Sequence, residues 1–294
     1  RLARVQGRCE MHIAFVAISG VRASNTALME VGLTLPGFVE RSQVIASLPS
    51  LALLTLAGMT PGTFDISYHE VPDIHALTEL PSCDVAAISS YTAQIQDGYE
   101  LADRFRAAGV KVVMGGIHVT ALPDEALEHA DAVVIGEGEI GWPEVLRDLA
   151  AGHLRRVYAP EGREFHLADS PMPRFDLLDI ERYNRLTVQT QRGCPWRCEF
   201  CASSIRMTTH YKVKPVERVI AEIREIKRIW PHPFIEFADD NSFVNRGHSK
   251  ELLRALAPER IHWFSECDIS IADDPELLDL MREAGCRELL IGLE

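Results

Sequence analysis

The chain contains no run of about 18 consecutive apolar residues, so its sequence offers no bilayer-spanning helix. Its opening stretch, RLARVQGRCEMHIAF, is basic but holds no apolar core of the kind a secretory signal needs. A cationic excess is missing: 30 Lys and Arg stand against 43 Asp and Glu, for a formal net charge of −13. So acidic a chain repels phosphate backbones at long range, which argues against nucleic acid as a partner. Cysteine is scarce and odd in number, seven in 294 residues. Without a secretion signal, that count excludes a disulfide framework and points to a reducing cytoplasm. Low-complexity tracts and long charge blocks are absent as well, which excludes a disordered chain. What remains is an ordinary globular composition, 47% hydrophobic and 25% charged, at a length comfortable for two domains.

Residues 1–10 read as a leader, expected to be disordered, or as an upstream reading of the start, and Met11 opens the first strand. Residues 12–19, 64–71, 84–91, 110–116 and 131–136 are short apolar runs rich in Val, Ile and Ala that end in small residues. Runs of this length suit strands buried on both faces of a parallel sheet. Helices are expected between them at 49–58, 97–108, 123–129 and 142–151. Pro49 suits a first helical turn, and Leu101 and Phe105 lie four apart on one face. Strand alternating with helix implies an open, doubly wound parallel sheet over residues 11–151. Ligands of such sheets sit beyond the carboxyl ends of the strands. The residues expected there are Ser19-Gly20, Ser89-Ser90-Tyr91-Thr92, Gly115-Gly116-Ile117-His118 and Gly136-Glu137-Gly138-Glu139. Glycines in these places let a large flat ligand approach the backbone, or they simply make tight turns.

Residues 152–185 read as a linker, with a hairpin over RVYAPEGREFHL turning at Glu161-Gly162 and a proline-rich stretch, SPMPRFDLLD. Then, within LTVQTQRGCPWRCEFCASS, a strand leads into a loop carrying Cys194, Cys198 and Cys201. Three of seven cysteines thus fall within eight residues. Thiolates are soft ligands for iron–sulfur clusters or zinc. Structural zinc would want a fourth ligand, for which His210 is the nearest candidate. Three thiolates can instead hold three irons of a 4Fe–4S cube and leave the fourth open, with Arg192 and Arg197 offsetting the negative charge. Further strands are expected at 233–238, 261–269 and 286–293, and helices at 215–230, 249–256 and 274–284, with Asp273 or Asp274 as the cap of the last. Four βα steps begin a barrel without finishing it, so the sequence is expected to be a fragment or to be completed from elsewhere.

The spacing CxxxCxxC, with aromatic Phe200 just before Cys201 and on the loop after a first barrel strand, resembles the radical S-adenosylmethionine superfamily. GGIHVTALPDEALEHADAVVIGEGE (115–139) and PMPRFDLLD (171–179) are similar to recurring segments of the subgroup with an N-terminal cobalamin-binding domain. The resemblance spans roughly residues 11–294. It implies an α/β chain: a doubly wound, Rossmann-like cobalamin-binding domain over 11–151, the linker, and an incomplete βα radical barrel over 186–294. It implies a 4Fe–4S cluster on Cys194, Cys198 and Cys201, with S-adenosylmethionine chelating the open iron and yielding a 5′-deoxyadenosyl radical.

Phe200 is then expected to line the adenine, Asp239 and Asp240 to lie near the amino group, and Glu266 and Glu294 to reach the ribose or methionyl part. The alternative for each acid is a solvated or salt-bridged strand end. Cobalamin is expected against Ser19, Ser90, Thr92, Gly115, Gly116, His118, Gly136, Glu137 and Gly138. Many cobalamin domains carry an axial histidine in DxHxxG after the first strand; here SGVRASNTA follows it. Asp73-Ile74-His75 comes only after the second strand, with Thr78 in the glycine's place. His118 stands in a ligand-facing loop, as a ligand or as a histidine satisfied by the fold. The expectation is a cobalamin without a protein histidine on cobalt. Cys267 is expected to be a buried small hydrophobe.

The activity implied is methyl transfer to an unactivated carbon of a small metabolite. The alternatives are a non-methylating radical reaction (cyclisation, ring contraction, oxidation) or a catalytically silent cofactor-binding module. The implied partners are a small-molecule substrate and an electron donor such as a flavodoxin or ferredoxin.

Overall fold

The computed structural model describes residues 11–18, 48–160, 162–201 and 210–293. Ser19, Gly20 and Glu294 lie outside them. The chain divides into two compact units, the first gathering 11–18 and 52–164 and the second 165–293.

In the first unit the order is β1 (His12–Ile18), α1 (Leu51–Met59), β2 (Asp65–Val71), β3 (Val85–Ser89), α2 (Ile95–Ala107), β4 (Lys111–Gly115), α3 (Ile117–Ala121), α4 (Pro123–His129), β5 (Ala132–Val134), α5 (Gly138–Ala151) and β6 (Val157–Tyr158). The six strands form one sheet in the order β2-β1-β3-β4-β5-β6, every pair parallel. The apolar runs are buried on both faces. Ala14, Val16, Ile88, Val112 and Met114 join Leu101, Phe105, Val119 and Ala126 in one core cluster, so α2, α3 and α4 cover that side. On the other side Phe15 packs on Trp142 at 5.5 Å between ring centroids, and Trp142 Nε1 donates to Thr60 Oγ1 at 2.9 Å. A Cβ on Gly141 would come within 2.6 Å of Val134 Cγ1, so this glycine lets α5 sit directly on β5. The doubly wound sheet read from the sequence is the one observed.

Three local readings differ. α3 was not anticipated, because five residues are too few to show helical periodicity. α5 starts four residues before the expected 142 and carries Pro143 inside it. The hairpin expected over 156–167, whose turn residue Glu161 lies outside the described residues, is not seen among the described ones. Instead Val157–Tyr158 adds in parallel to β5, which buries the Tyr158 ring to 1% exposure and lets its hydroxyl donate to Asp148 Oδ2 at 2.9 Å. Two exposed strands in a hairpin would leave that ring in water, whereas the sheet edge removes it.

The second unit runs β7 (Leu186–Val188), β8 (Gln191–Arg192), β9 (Lys212–Val213), α6 (Val216–Ile229), β10 (Phe234–Phe237), α7 (Arg246–Leu256), β11 (His262–Asp268), α8 (Pro275–Glu283) and β12 (Cys286–Gly292). β7, β10, β11 and β12 form a parallel sheet in chain order, the first part of a βα barrel. β8 and β9 pair antiparallel as a separate ribbon. Leu186, Val188, Ile235, Phe237 and Trp263 are buried, and Phe237 stacks on Trp263 at 5.1 Å.

Register places Thr187, Glu236, Phe264 and Glu288 in one row on the opposite face. There the buried Arg185 reaches Glu288 at 2.8 Å and Glu236 at 3.4 Å, with its guanidinium over Phe234 and Phe264. Asp274 caps α8 through Leu277 N at 3.1 Å. Asn245 caps α7 through His248 N, which starts that helix one turn earlier than expected. Gly285 has φ +93°, and a Cβ there would fall 2.1 Å from Ile261 O, so only glycine fits before β12.

Candidate cofactor sites at the strand ends

The cysteine loop leaves the carboxyl end of β7 and is held at its base. Asp239, at the end of β10, is the fastening point. Its Oδ1 accepts from Thr190 N at 2.8 Å and Gln191 N at 3.0 Å, while Oδ2 accepts from the hydroxyls of Thr190 and Ser242. Burial pushes this carboxyl up to about 6, and the four donors hold it down against that penalty. The ribbon of β8 and β9 closes the loop's two ends together, and Lys214 N donates to Thr190 O at 2.8 Å. Under it lies a buried ion pair, Lys214 Nζ to Glu222 Oε1 at 2.7 Å. Tyr211 OH donates to Gln191 Oε1 at 2.6 Å, and Gln191 Nε2 donates to Asn241 O.

Beyond this base, Gly193 N donates to Asp240 Oδ2 at 2.8 Å. Asn241 Nδ2 lies 3.8 Å from Cys194 Sγ and donates to Asp268 Oδ2 at 2.8 Å. The same Asp268 oxygen accepts from Trp196 Nε1 at 3.2 Å. Cys201 N donates to Cys198 O at 3.1 Å, a turn that keeps the second and third cysteines close in the chain. All three are thiols. They share one fastened loop, but their sulfurs do not meet: among the described residues no three His, Cys, Asp or Glu side chains converge at metal-ligating distance. That statement also covers a zinc set completed by His210. Three unoxidised soft donors on an exposed loop with a fixed base suit a thiolate-ligated cluster, whose assembly would draw the sulfurs together.

The other expected residues divide. Phe200 is 70% exposed, so its ring is open to a ligand. Asp239 is turned inward and fully engaged, so its work is to hold the loop's backbone. Asp240 and Glu266 stand exposed at neighbouring strand ends. Partial desolvation and, after it, the charge of Asp240 push the Glu266 carboxyl upward. Glu294 is outside the described residues. Cys267 is buried, and desolvation pushes its thiol up to about 11, as a small core residue. Sequence reasoning did not single out Gln191, Asn241, Ser242 or Asp268. The one available signal was the unbroken polar run Asp239-Asp240-Asn241-Ser242 directly after an apolar strand.

In the first unit the strand order reverses direction between β1 and β3, which makes that end of the sheet the expected binding edge. β3 delivers Ser90, Tyr91 and Thr92 to it, and β4 delivers Gly115, Gly116 and Ile117. Gly116 has φ +109°, and a Cβ on it would press on Ser89 Oγ at 3.1 Å. Gly136 has φ +78° with nothing within 4 Å of a notional Cβ, so the space above it is open. Tyr91 and Ile117 are 68% and 50% exposed. Two large apolar side chains in water beside glycine backbone make a flat apolar face.

Gly136 N donates to Thr120 Oγ1 at 3.0 Å, which ties the β5 end to α3. Glu137 precedes α5, and Gly138 starts it against Leu56. Ser90 is buried, and its hydroxyl donates to Tyr91 O at 3.3 Å. His118 is buried with both ring nitrogens engaged, Nδ1 with Thr92 Oγ1 and Nε2 with Glu125 Oε1, each at 3.2 Å. It is a histidine satisfied by the fold. Hydrogen bonding to His118 holds the Glu125 carboxyl below its ordinary range. His75 is exposed, and its backbone N donates to Asp73 Oδ1 at 3.0 Å.

These two sheet ends coincide with two family matches. Residues 46–146 match the B12 binding domain and residues 188–294 match the radical SAM superfamily. The chain belongs to the B12-binding subgroup of the radical S-adenosylmethionine superfamily.

Relatives of this radical S-adenosylmethionine chain include the bacteriochlorophyllide d C-8(2)-methyltransferase of Chlorobaculum tepidum. That protein is 29% identical over 266 residues, covering 83% of this chain and 57% of the relative. The hopanoid C-2 methylase of Rhodopseudomonas palustris is 26% identical over 267 residues, covering 85% and 49%. Among solved structures, TsrM of Kitasatospora setae with cobalamin and a 4Fe–4S cluster superposes with a TM-score of 0.69 at 16% identity, covering 97% of this chain and 61% of that one. It shares the fold. The chain spans about half the length of the relatives it matches.

Proposed function

We propose that this chain is the cofactor-bearing part of a cobalamin-dependent radical S-adenosylmethionine methyltransferase acting on a small molecule. The observation that carries the reading is the pinned three-thiol loop in the same chain as a glycine-floored, apolar sheet end of the B12-binding type. When bound, the cluster and cobalamin supply one-electron reduction of S-adenosylmethionine and methyl-group carriage.

The residues divide the work. Cys194, Cys198 and Cys201 hold the cluster. Asp239 fixes the backbone from which they project, and Asp240 holds Gly193 just before Cys194. Phe200 offers an open ring to the adenine, and Glu266 a carboxyl to the polar part of S-adenosylmethionine. In the first unit Gly115, Gly116, Gly136 and Gly138 keep the floor low, Tyr91 and Ile117 give it an apolar surface, and Ser90 and Thr92 shape its edge. His118 braces Thr92 from below, so cobalt takes no ligand from it. A flavodoxin or ferredoxin in a reducing cytoplasm supplies the electron.

Anaerobic reconstitution tests this. Iron and cobalt are counted per chain, and products are identified from S-adenosylmethionine labelled in its methyl group. The reading expects about four irons, bound cobalamin without a base-on spectrum, and labelled methyl leaving S-adenosylmethionine alongside S-adenosylhomocysteine and 5′-deoxyadenosine. Deoxyadenosine without homocysteine product assigns a non-methylating radical reaction. Zinc in place of iron rejects the proposal.

A further inference from the structure

Asn241 is more than nine-tenths buried, and its amide is oriented without ambiguity. Asp268 N can only donate, and it meets Asn241 Oδ1 at 3.0 Å. Nδ2 is therefore the donor end. It faces two acceptors, Asp268 Oδ2 at 2.8 Å and Cys194 Sγ at 3.8 Å. The backbone of Asn241 is held too, since its carbonyl accepts from Gln191 Nε2. A buried carboxamide locked at both of its polar atoms and on its main chain has little freedom to turn its remaining N–H from the sulfur. Asp268 is anchored in turn by Trp196 Nε1 and by Ser270 N.

We propose that Asn241 is the hydrogen-bond donor to the Cys194 thiolate and sets the reduction potential of the cluster, with Asp268 as the residue that aims it. The inference rests on the cluster assignment above. A donor at a ligating sulfur stabilises the added negative charge of the reduced state, so it makes reduction easier. Electron entry is the step that an iron–sulfur site of this type must manage, and the Asn241 carboxamide is a donor placed against Cys194 Sγ.

The test is a redox titration of the anaerobically reconstituted full chain followed by spin resonance, without turnover. N241L removes the donor at similar volume and is expected to shift the midpoint potential to more negative values with iron content retained.

A second measurement uses the unaltered sequence. Protein labelled with 15N-asparagine is expected to show a nitrogen coupled to the reduced cluster in pulsed spin resonance. An unchanged potential in N241L with full iron overturns the inference. So does the absence of a coupled asparagine nitrogen, which decides the matter even where N241L holds no iron. If the unaltered protein assembles no cluster, it is the cluster assignment that fails.

Discussion

The two strand-end regions are built on opposite plans. At the first sheet the chain removes side chains: Gly115, Gly116 and Gly136 leave bare backbone, flanked by exposed Tyr91 and Ile117. At the second sheet it crowds polar side chains together, so that Thr190, Gln191, Asp239, Asn241, Ser242 and Asp268 satisfy one another beneath a loop of thiols. A broad, preformed ligand needs a low floor and few fixed partners. A cluster assembled from separate iron and sulfide needs a rigid base under flexible ligands.

The sharpest way to separate the two plans is C198A. Cys198 is exposed on the loop, so its loss is expected to abolish cluster retention and S-adenosylmethionine cleavage while leaving the melting temperature and cobalamin uptake unchanged. Iron analysis, a thermal melt and a hydroxocobalamin titration check it, and loss of cobalamin binding would break the division.

Next in size is D239A. It strips the acceptor from the backbone N–H groups of Thr190 and Gln191, and each orphaned buried donor costs about 1–3 kcal/mol. Urea unfolding is expected to show a loss of about 2–5 kcal/mol, with poor iron retention. D239N keeps the shape and is expected to lose far less.

On the other plan, G116A and G136A both place a side chain at positive φ, at about 1–2 kcal/mol each. G116A also presses on Ser89 Oγ, so it is expected to destabilise more than G136A. G136A, which fills open space, is expected to act mainly on cobalamin affinity. Equal melts for the pair would remove the close contact at Gly116 from the account.

A smaller effect is electrostatic. The Asp239 carboxyl, pushed up to about 6, keeps its proton where an unfolded aspartate near 4 has lost it. Its contribution to stability is therefore fully present below about pH 4 and is lost as pH rises through about 6. The difference in urea midpoint between the unaltered protein and D239N is expected to slope in that sense over this window and to be flat above it. The smallest expected change is Y91S, a few-fold loss of cobalamin affinity with an unaltered melt, since the ring is exposed.

Much of this was legible in the residues. Parallel strands buried on both faces announce themselves as unbroken apolar runs, and three cysteines in eight residues name a soft metal group by spacing alone. Short or edge elements were not legible. α3 is too brief for periodicity, and Val157–Tyr158 joined a sheet edge that no local pattern reveals. The roles of the acids were not legible either. Asp239 and Asp240 are adjacent in the chain, yet one is buried under four donors and the other stands in solvent.

By itself, then, the sequence determined the alternation of strand and helix and the gathering of three cysteines on one loop. Each of these is set by side-chain chemistry at short range in the chain. Only the tertiary structure decided that His118 braces Thr92 with both ring nitrogens occupied, that Asp239 fastens a loop 48 residues away, and that Asn241 meets Cys194. Those roles depend on which atoms are brought within about 3–4 Å of one another, and distance along the chain carries no information about that.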